Sequence, residues 1–205
     1  MKITDLHTHR LSHEAIVAAE PAETLIDGYV YSIGIHPWHT DTQTDFRLLF
    51  ERCSDPRVVA IGECGLDSLT DTPMPVQEEI FLHHIEISEE LRKPMIIHCV
   101  RAHERLLAIR RAICPTQPWI IHGFRQKPTI ASRLMDAGLY LSLGPRFNPE
   151  TGRLIPDDRL LIETDDDPAA TIGMVAEAVA EARGTDSAQI LSLSAATIAL
   201  ILPLS

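Results

Sequence analysis

The segment KITDLHTH, residues 2–9, places Asp5, His7 and His9 at alternate positions of a short strand-like run. Side chains two residues apart on a strand point to the same face, so these three side chains would share one side. Two imidazoles on one face at the end of a strand could share a divalent cation. Because a His-x-His pair also occurs by chance, the rest of the sequence decides between a ligand pair and a surface pair.

Further histidines and acids lie at the ends of other apolar segments: His36, Glu63, His98, His122 and Asp165. A carboxylate at a buried strand end is costly unless something pairs with its charge. Imidazole and carboxylate ligands suit zinc, manganese or iron. The absence of thiolates argues against a zinc ion with a structural role. For any one of these histidines the alternative is a hydrogen-bonded role in a loop, but their joint pattern favours a metal site.

Short apolar segments rich in β-branched residues predict the strands that would position these residues. They lie at 2–9, 29–37, 57–67, 94–100, 118–124, 138–145 and 159–167, with a weaker eighth candidate at 15–21. Helical periodicity separates many of them, at 76–91, 103–113, 127–137, 169–183 and 186–201. Strands of this buried type alternating with helices predict parallel β-α-β units.

The pattern predicts an α/β fold of the TIM-type (β/α) barrel class. The candidate residues recur at the carboxyl ends of the strands, which meet on one face of such a barrel. No glycine-rich nucleotide-binding motif begins a helix, which argues against an open doubly wound sheet. Only 19 residues separate His9 from Tyr29. We therefore predict a trimmed barrel in which the helix after the first strand is missing.

Length and composition predict a single globular domain over residues 1–205. The chain has 205 residues, of which 45% are hydrophobic, enough for a sizeable core. Neither a signal peptide nor a membrane-spanning run is apparent, so we expect a cytoplasmic protein that binds no membrane. The four cysteines form no C-x-x-C pair and are expected to be reduced and outside the metal site.

The charge pattern bears on the substrate. A net charge of −11 argues against a protein whose whole surface coats nucleic acid. Residues 92–133 nevertheless carry nine lysines and arginines against one acid, so this region could attract phosphate. Arg101, Arg125 and Arg146 each follow a predicted strand and could bind phosphate through two-point hydrogen bonds. The alternative is that these arginines pair with surface acids.

Seven motifs follow one another from about residue 3 to residue 166: DLHTH, GIHP, GECGLD, QEEIF, PMIIHCV, IIHGF and LLIETD. Together they resemble the TatD family of metal-dependent hydrolases, which are amidohydrolase-like TIM barrels. The resemblance implies two divalent metal ions, of zinc, manganese or magnesium. One would be bound by His7, His9, Glu63 and Asp165, and the second by His98, His122 and a bridging Glu63.

The resemblance also implies roles at the site. Glu63 and Asp165 would be the catalytic residues, with Asp165 orienting the attacking water and taking its proton. His36 is interpreted either as a residue that supports the ligands or as a substrate-side residue, and not as a ligand. Trp38 and His39 are expected to line the pocket. His83 and His84, inside a predicted helix, are expected to pack or to lie on the helix surface.

The implied function is hydrolysis of phosphodiester bonds, in DNA ends or small phosphate esters, as in a deoxyribonuclease. The expected partner is a phosphate-containing substrate, DNA among them, and no protein partner is inferred. The alternative is a metal-dependent amidohydrolase or lactonase acting on a small anionic molecule, because one barrel can serve several reactions. A catalytically idle binding barrel is disfavoured because every proposed ligand is present.

Two segments depart from the pattern or lack an assignment. After the ETD motif the family usually has a basic, asparagine-containing segment, whereas this chain has Asp166 and Asp167. We expect a wider mouth there. The apolar segment 190–204 is expected either to pack on the outer wall of the barrel or to close its amino-terminal end.

Overall fold

The computed structural model describes residues 2–39 and 44–204, and it contains one eight-stranded sheet. The strands are β1 (Asp5–Thr8), β2 (Ala15–Ala19), β3 (Val30–Ile33), β4 (Val58–Asp67), β5 (Met95–Val100), β6 (Trp119–Ile121), β7 (Tyr140–Leu143) and β8 (Leu160–Ile162). Neighbouring strands pair in parallel in chain order. A parallel bridge between Thr8 and Asp165 joins the last strand to the first. The predicted TIM-type barrel is therefore confirmed.

Seven α-helices accompany the described strands. They are α1 (Phe46–Cys53), α2 (Met74–Leu91), α3 (His103–Ile113), α4 (Pro128–Asp136), α5 (Pro149–Leu154), α6 (Ile172–Arg183) and α7 (Ser187–Ile201), with a 3₁₀ turn at Asp157–Arg159. No helix lies between β1 and β2 or between β2 and β3, where every residue is described. This confirms the predicted absence of the helix after the first strand. The sequence interpretation missed α1 and α5.

The core has two parts. The larger part packs the helices against the outer face of the sheet, with Phe81, Trp119 and Leu134 fully buried. The smaller part gathers buried residues from near the amino-terminal ends of the strands together with the end of α7: Ile3, Leu6, Ile16, Val59, Ala60, Ile96, Ile120, Leu161, Ile198, Ile201 and Leu202. The apolar segment 190–204 therefore has both expected roles. Ile190 packs in the larger, outer part of the core, and the end of α7 closes the amino-terminal end of the barrel.

A hydroxyl group anchors α7 in this position. Ser194 Oγ donates to the Thr4 carbonyl at 3.0 Å and accepts from the Ile162 amide at 3.2 Å. Because Thr4 precedes β1 and Ile162 ends β8, α7 is tied to both strands that meet where the barrel closes. Among the described residues, no helix is both long enough and apolar enough to cross a membrane. The single-domain interpretation of residues 1–205 stays a prediction.

Candidate metal centre

Glu63 lies at the middle of the candidate centre, on β4 and 8% exposed. Its Oε2 atom is 3.3 Å from His7 Nε2 and 3.5 Å from His9 Nε2. Asp165 Oδ1 lies 3.6 Å from His7 Nε2 and 3.7 Å from His9 Nε2. Two imidazoles and two carboxylates therefore surround one small space, and they are the residues that the family resemblance implies for the first cation.

The other oxygen of Glu63 faces a second group of histidines. Its Oε1 atom lies 2.7 Å from His122 Nε2, 3.1 Å from His98 Nδ1 and 3.0 Å from His36 Nε2. One carboxylate thus separates the imidazoles into two groups, one on each of its oxygens. This is the arrangement that a bridging ligand between two cations would need.

Glycines on either side of Glu63 allow β4 to approach β5 this closely. At Gly65, where φ is +145°, an added Cβ would lie 2.0 Å from the His98 carbonyl oxygen. At Gly62, an added Cβ would lie 2.3 Å from the Ile96 carbonyl oxygen. Any side chain at these positions would push the strands apart and separate Glu63 from His98. The GECG motif therefore positions the centre through the backbone.

The backbone of Asp165 places its side chain beside His7 and His9. Its amide donates to the His7 carbonyl at 2.9 Å, and its carbonyl accepts from the His9 amide at 3.3 Å. Its φ of +55° is left-handed, a conformation that aspartate adopts more readily than most residues. The side chain is 31% exposed, so it also reaches the cavity above the centre.

Buried acids behind the histidines were not assigned from the sequence. Asp67 Oδ2 lies 3.0 Å from His98 Nε2, and Glu163 Oε1 lies 3.2 Å from His122 Nδ1. Each acid contacts the ring nitrogen that does not face Glu63, so each fixes the orientation of its imidazole. A signal was available in the spacing, since Glu163 is two residues before Asp165 and Asp67 is four after Glu63, which are same-face positions on a strand.

Asp5 belongs to neither group of proposed ligands and instead accepts hydrogen bonds from Thr164. Its Oδ2 accepts from the Thr164 hydroxyl at 2.7 Å, and its Oδ1 accepts from the Thr164 amide at 3.1 Å. Burial raises the pKa of Asp5 to about 6, although the hydrogen bonds from Thr164 act in the opposite direction. Asp5 therefore joins β1 to the segment that follows β8.

Electrostatic interactions keep the two central acids ionised. Burial opposes ionisation of Glu63, but the neighbouring His122, His36 and His7 hold the pKa of its carboxyl well below the usual value. The pKa of Asp165 is lowered to about 2, because its contacts with His7 and His122 outweigh the effect of burial. Burial and the charge of His122 lower the pKa of His7, yet its contacts with Asp165 and Glu63 raise it overall to about 9.

The donor atoms fit divalent cations. The Nε2 atoms of His7 and His122 are buried and make no hydrogen bond of acceptable angle to any described residue, although oxygens of Glu63 lie 3.3 and 2.7 Å away. Nitrogens that approach carboxylates without such bonds are suited to sharing an ion with them. The donor atoms of His7, His9 and Glu63 lie within 4.8 Å of one another, as do those of His36, Glu63 and His98.

His36 has a tautomer that disfavours a ligand role. Its Nδ1 accepts from the Trp38 amide at 3.1 Å, so the ring proton lies on Nε2 and points to Glu63. Burial lowers the pKa of His36, which favours this neutral form. Distance alone would admit His36 as a ligand, whereas its hydrogen bonds support the predicted non-ligand role, which stays a prediction.

A cavity of about 830 Å³ opens above the centre, and two of the three predicted arginines line it. Arg125 and Arg146 line this cavity, whereas Arg101 lies in a neighbouring depression next to Glu104 and Arg105. None of the three predicted arginines forms an ion pair with a described residue. The alternative that they pair with surface acids therefore finds no support among residues 2–39 and 44–204.

The fold and the site together define a closed parallel (β/α) barrel with a candidate metal centre at the carboxyl ends of its strands. Residues 2–200 match the family described as TatD related DNase. The chain belongs to this family, which confirms the resemblance seen in its motifs.

Similar proteins show the same relationship. YcfH of Escherichia coli (strain K12), named as an uncharacterized metal-dependent hydrolase, is 36% identical over 148 residues, which cover 68% of this chain and 56% of YcfH. A protein of Erwinia billingiae (strain Eb661) named 3′-5′ ssDNA/RNA exonuclease TatD is 35% identical over 164 residues, which cover 72% of this chain and 61% of that protein. The matched region thus spans less than two thirds of these relatives' length.

A solved structure supports the fold. The crystal structure of YJJV, a TatD homolog from Escherichia coli K12, superimposes with a TM-score of 0.76 and 20% sequence identity. The match covers 93% of this chain and 86% of that chain. At this level of identity the similarity concerns the barrel architecture alone.

Proposed function

We propose that this chain is a divalent-metal-dependent hydrolase that cleaves phosphodiester bonds, in DNA ends or in small phosphate esters. The observation that carries the proposal is the position of Glu63, whose two oxygens face two separate groups of imidazoles. Such a carboxylate is expected in a centre for two cations and has no simple role in a binding module. The name of the Erwinia billingiae relative supports nucleic acid as the substrate class.

We propose the following ligands for the ions, and the distances around Glu63 support the assignment. His7, His9, Asp165 and Oε2 of Glu63 would bind one divalent ion, of zinc, manganese or magnesium. His98, His122 and Oε1 of Glu63 would bind the other. When bound, such ions supply Lewis acidity and make water a stronger nucleophile at neutral pH.

The chain's own groups would orient the reactants. Asp165, ionised at neutral pH and open to the cavity, can accept a hydrogen bond from the attacking water and so fix its direction. Taking the proton of that water is the second role that we propose for Asp165. Arg125 and Arg146, which line the same cavity, can bind the negative charge of the phosphate.

A second candidate function is a metal-dependent amidohydrolase or lactonase that acts on a small anionic molecule. The charge of the cavity wall favours this second function, because Asp166 and Asp167 line the cavity and would repel a long polyanion. The same metal ligands can serve either reaction, so the substrate has to be determined by experiment.

The test is hydrolysis of bis(p-nitrophenyl) phosphate with added manganese, magnesium or zinc, with and without a chelator. We expect activity that the chelator abolishes and that Glu63→Ala lowers by roughly 100-fold or more, since the variant loses a group shared by both proposed ion sites. Glu177→Ala, at an exposed position on α6, is the matched control and should retain activity. Activity no higher than that of Glu63→Ala with any of the three metals would reject the phosphodiesterase proposal. Activity on a lactone or amide in the same samples would favour the second candidate.

A further inference from the structure

We propose that Trp38 and Leu69 form a stacking surface for the nucleobase next to the cleaved phosphate. Both side chains line the cavity above the centre, and they are 60% and 61% exposed, respectively. The inference rests on the proposed function and deepens it, because it names nucleotide esters as the substrate class, in preference to small esters without a base. We call these two side chains the Trp38–Leu69 surface.

A buried acid holds both residues of this surface in place. Trp38 Nε1 donates to Asp67 Oδ2 at 2.8 Å, and the Leu69 amide donates to Asp67 Oδ1 at 2.8 Å. The indole also meets the His36 ring nearly at right angles, with 4.7 Å between ring centroids. An exposed aromatic side chain with a fixed orientation loses little conformational entropy when a planar ligand stacks on it.

The same acid connects the surface to the candidate centre. Asp67 Oδ2 lies 3.0 Å from His98 Nε2, and His98 Nδ1 lies 3.1 Å from Glu63. One imidazole therefore separates Asp67 from the carboxylate at the middle of the centre. The ring centroids of Trp38 and His98 are 5.7 Å apart, so the Trp38–Leu69 surface lies next to a proposed ligand of the centre. The sugar that links a base to its phosphate can span a separation of this size.

Charge on the cavity wall indicates where the rest of the substrate would run. Arg125 follows β6 and Arg146 follows β7, whereas the Trp38 indole contacts Asp67 at the end of β4 and lies 5.7 Å from the His98 ring on β5. The walls that follow β2 and β4 instead contribute the acids Glu20, Glu23 and Asp71. Further phosphates are disfavoured on that side, and Arg125 and Arg146 would attract them on the other side, where Asp166 and Asp167 act in the opposite direction. The Trp38–Leu69 surface would therefore receive a terminal base.

An exposed tryptophan alone would not justify this inference, because single apolar residues are common on protein surfaces. The distinguishing observation is that one buried acid binds the indole and a proposed ligand of the centre through the same oxygen atom. Stacking of a base on an aromatic side chain is worth about 1–3 kcal/mol, which corresponds to roughly 5- to 150-fold in affinity.

The first experiment measures intrinsic fluorescence with magnesium present. The chain has two tryptophans, and Trp119 is fully buried, so an added ligand should affect mainly Trp38. We expect adenosine 5′-monophosphate and thymidine 5′-monophosphate to quench the emission with saturation, and ribose 5-phosphate, which has no base, to leave it constant. Trp38→Phe should remove the quenching. Equal responses to the ligands with and without a base would overturn the proposal.

The second experiment compares two oligonucleotides that differ only in whether the terminal residue has a base. We expect Trp38→Ala to lower the ratio of their kcat/KM values about 10-fold, mainly through KM for the substrate that has the base. The ratio cancels any general effect on the centre, and Trp38→Phe should restore part of it. Leu200→Ala, which truncates an exposed apolar residue on α7, is the control.

The outcomes separate this inference from the proposed function. An unaltered ratio in Trp38→Ala, with phosphodiester hydrolysis intact, overturns the stacking surface and leaves the hydrolase standing. Saturable, base-dependent quenching without hydrolysis of any phosphodiester supports the surface and rejects the proposed reaction.

Discussion

His7, which lies beside Glu63, holds a proton that an incoming cation would have to displace. The pKa of His7 is raised to about 9, because its contacts with Asp165 and Glu63 outweigh burial and the charge of His122. We therefore predict that cation affinity rises as the pH is raised from 6 to 8, and that binding releases protons. Calorimetric titration with zinc in two buffers of different ionisation enthalpy measures both quantities. An affinity independent of pH would contradict the ligand role of His7.

A second prediction concerns Glu163, which is fully buried and contacts His122 on the side away from Glu63. Glu163→Gln keeps the shape of the side chain but removes the charge that orients and polarises the imidazole. We expect the affinity for divalent cations to fall by about 10- to 100-fold. Titration with manganese measures the effect, and Glu177→Gln on the exposed face of α6 is the control. A variant with the affinity of the parent protein would show that Glu163 has only a packing role.

The proposed ligands and their supporting acids differ in how readily the sequence reveals them. His98 and His122 were found because each follows the same proline and apolar pattern at the end of a strand. Asp67 and Glu163 lie in motifs that were noticed, but each acts by touching a ring on a neighbouring strand. Such contacts depend on strand register and side-chain rotamers, which residue types alone do not specify.

Among the secondary-structure elements, α2 is joined to the end of β3 by a buried histidine. His84 Nε2 accepts from the Ile35 amide at 3.0 Å, so its Nδ1 carries the proton and donates to the Ile80 carbonyl at 2.7 Å. This confirms the expected packing role of His84. Because Ile35 immediately precedes His36, the contact also supports the loop that leads to the candidate centre.

His84 gives the fold a measurable pH dependence. Burial lowers its pKa from 6.5 to about 4. The unfolded chain therefore binds a proton that the folded chain excludes, so the stability due to neutral His84 is present above pH 6.5 and is lost as the pH falls towards 4. We predict a loss of about 3 kcal/mol over this range that His84→Gln does not show. Urea denaturation of both proteins at pH 7 and pH 4.5 tests this. Parallel losses in the two proteins would show that other groups dominate.

The long helices were predictable and the short ones were not. The interval 103–113 matches α3 at both ends, and α2 begins two residues before the predicted 76–91. By contrast, α1 has eight residues and buries only Leu49 and Cys53, while α5 has six residues and includes Gly152. Segments this short contain too few turns to show helical periodicity, and a glycine lowers the helix propensity further.

On the scale of the whole molecule, the seam between β8 and β1 decides whether the barrel closes. The Thr164 hydroxyl donates to Asp5 Oδ2 at 2.7 Å and lies 3.0 Å from the Thr8 hydroxyl, so one side chain connects two other buried polar groups. The alternation of strands and helices predicts a barrel. It does not reveal this seam, because the closing bridge depends on the left-handed backbone at Asp165.

We predict that Thr164→Val destabilises the protein by about 1–3 kcal/mol, because the variant leaves an oxygen of the buried Asp5 without its donor. Thr164→Ser keeps the hydroxyl and should lose much less. The free energy of unfolding, from urea denaturation monitored by circular dichroism, measures the difference. Equal stabilities of the two variants would mean that the hydroxyl makes no net contribution at the seam.

The packing of α7 has a consequence for biosynthesis. Ile198, Ile201 and Leu202 fill the end of the barrel opposite the candidate centre, and they follow every proposed ligand in the chain. Every proposed ligand from His7 to Asp165 is therefore translated before α7, the helix that closes the amino-terminal end of the barrel. Closure of this end of the barrel therefore requires α7, which is translated after all of the proposed ligands.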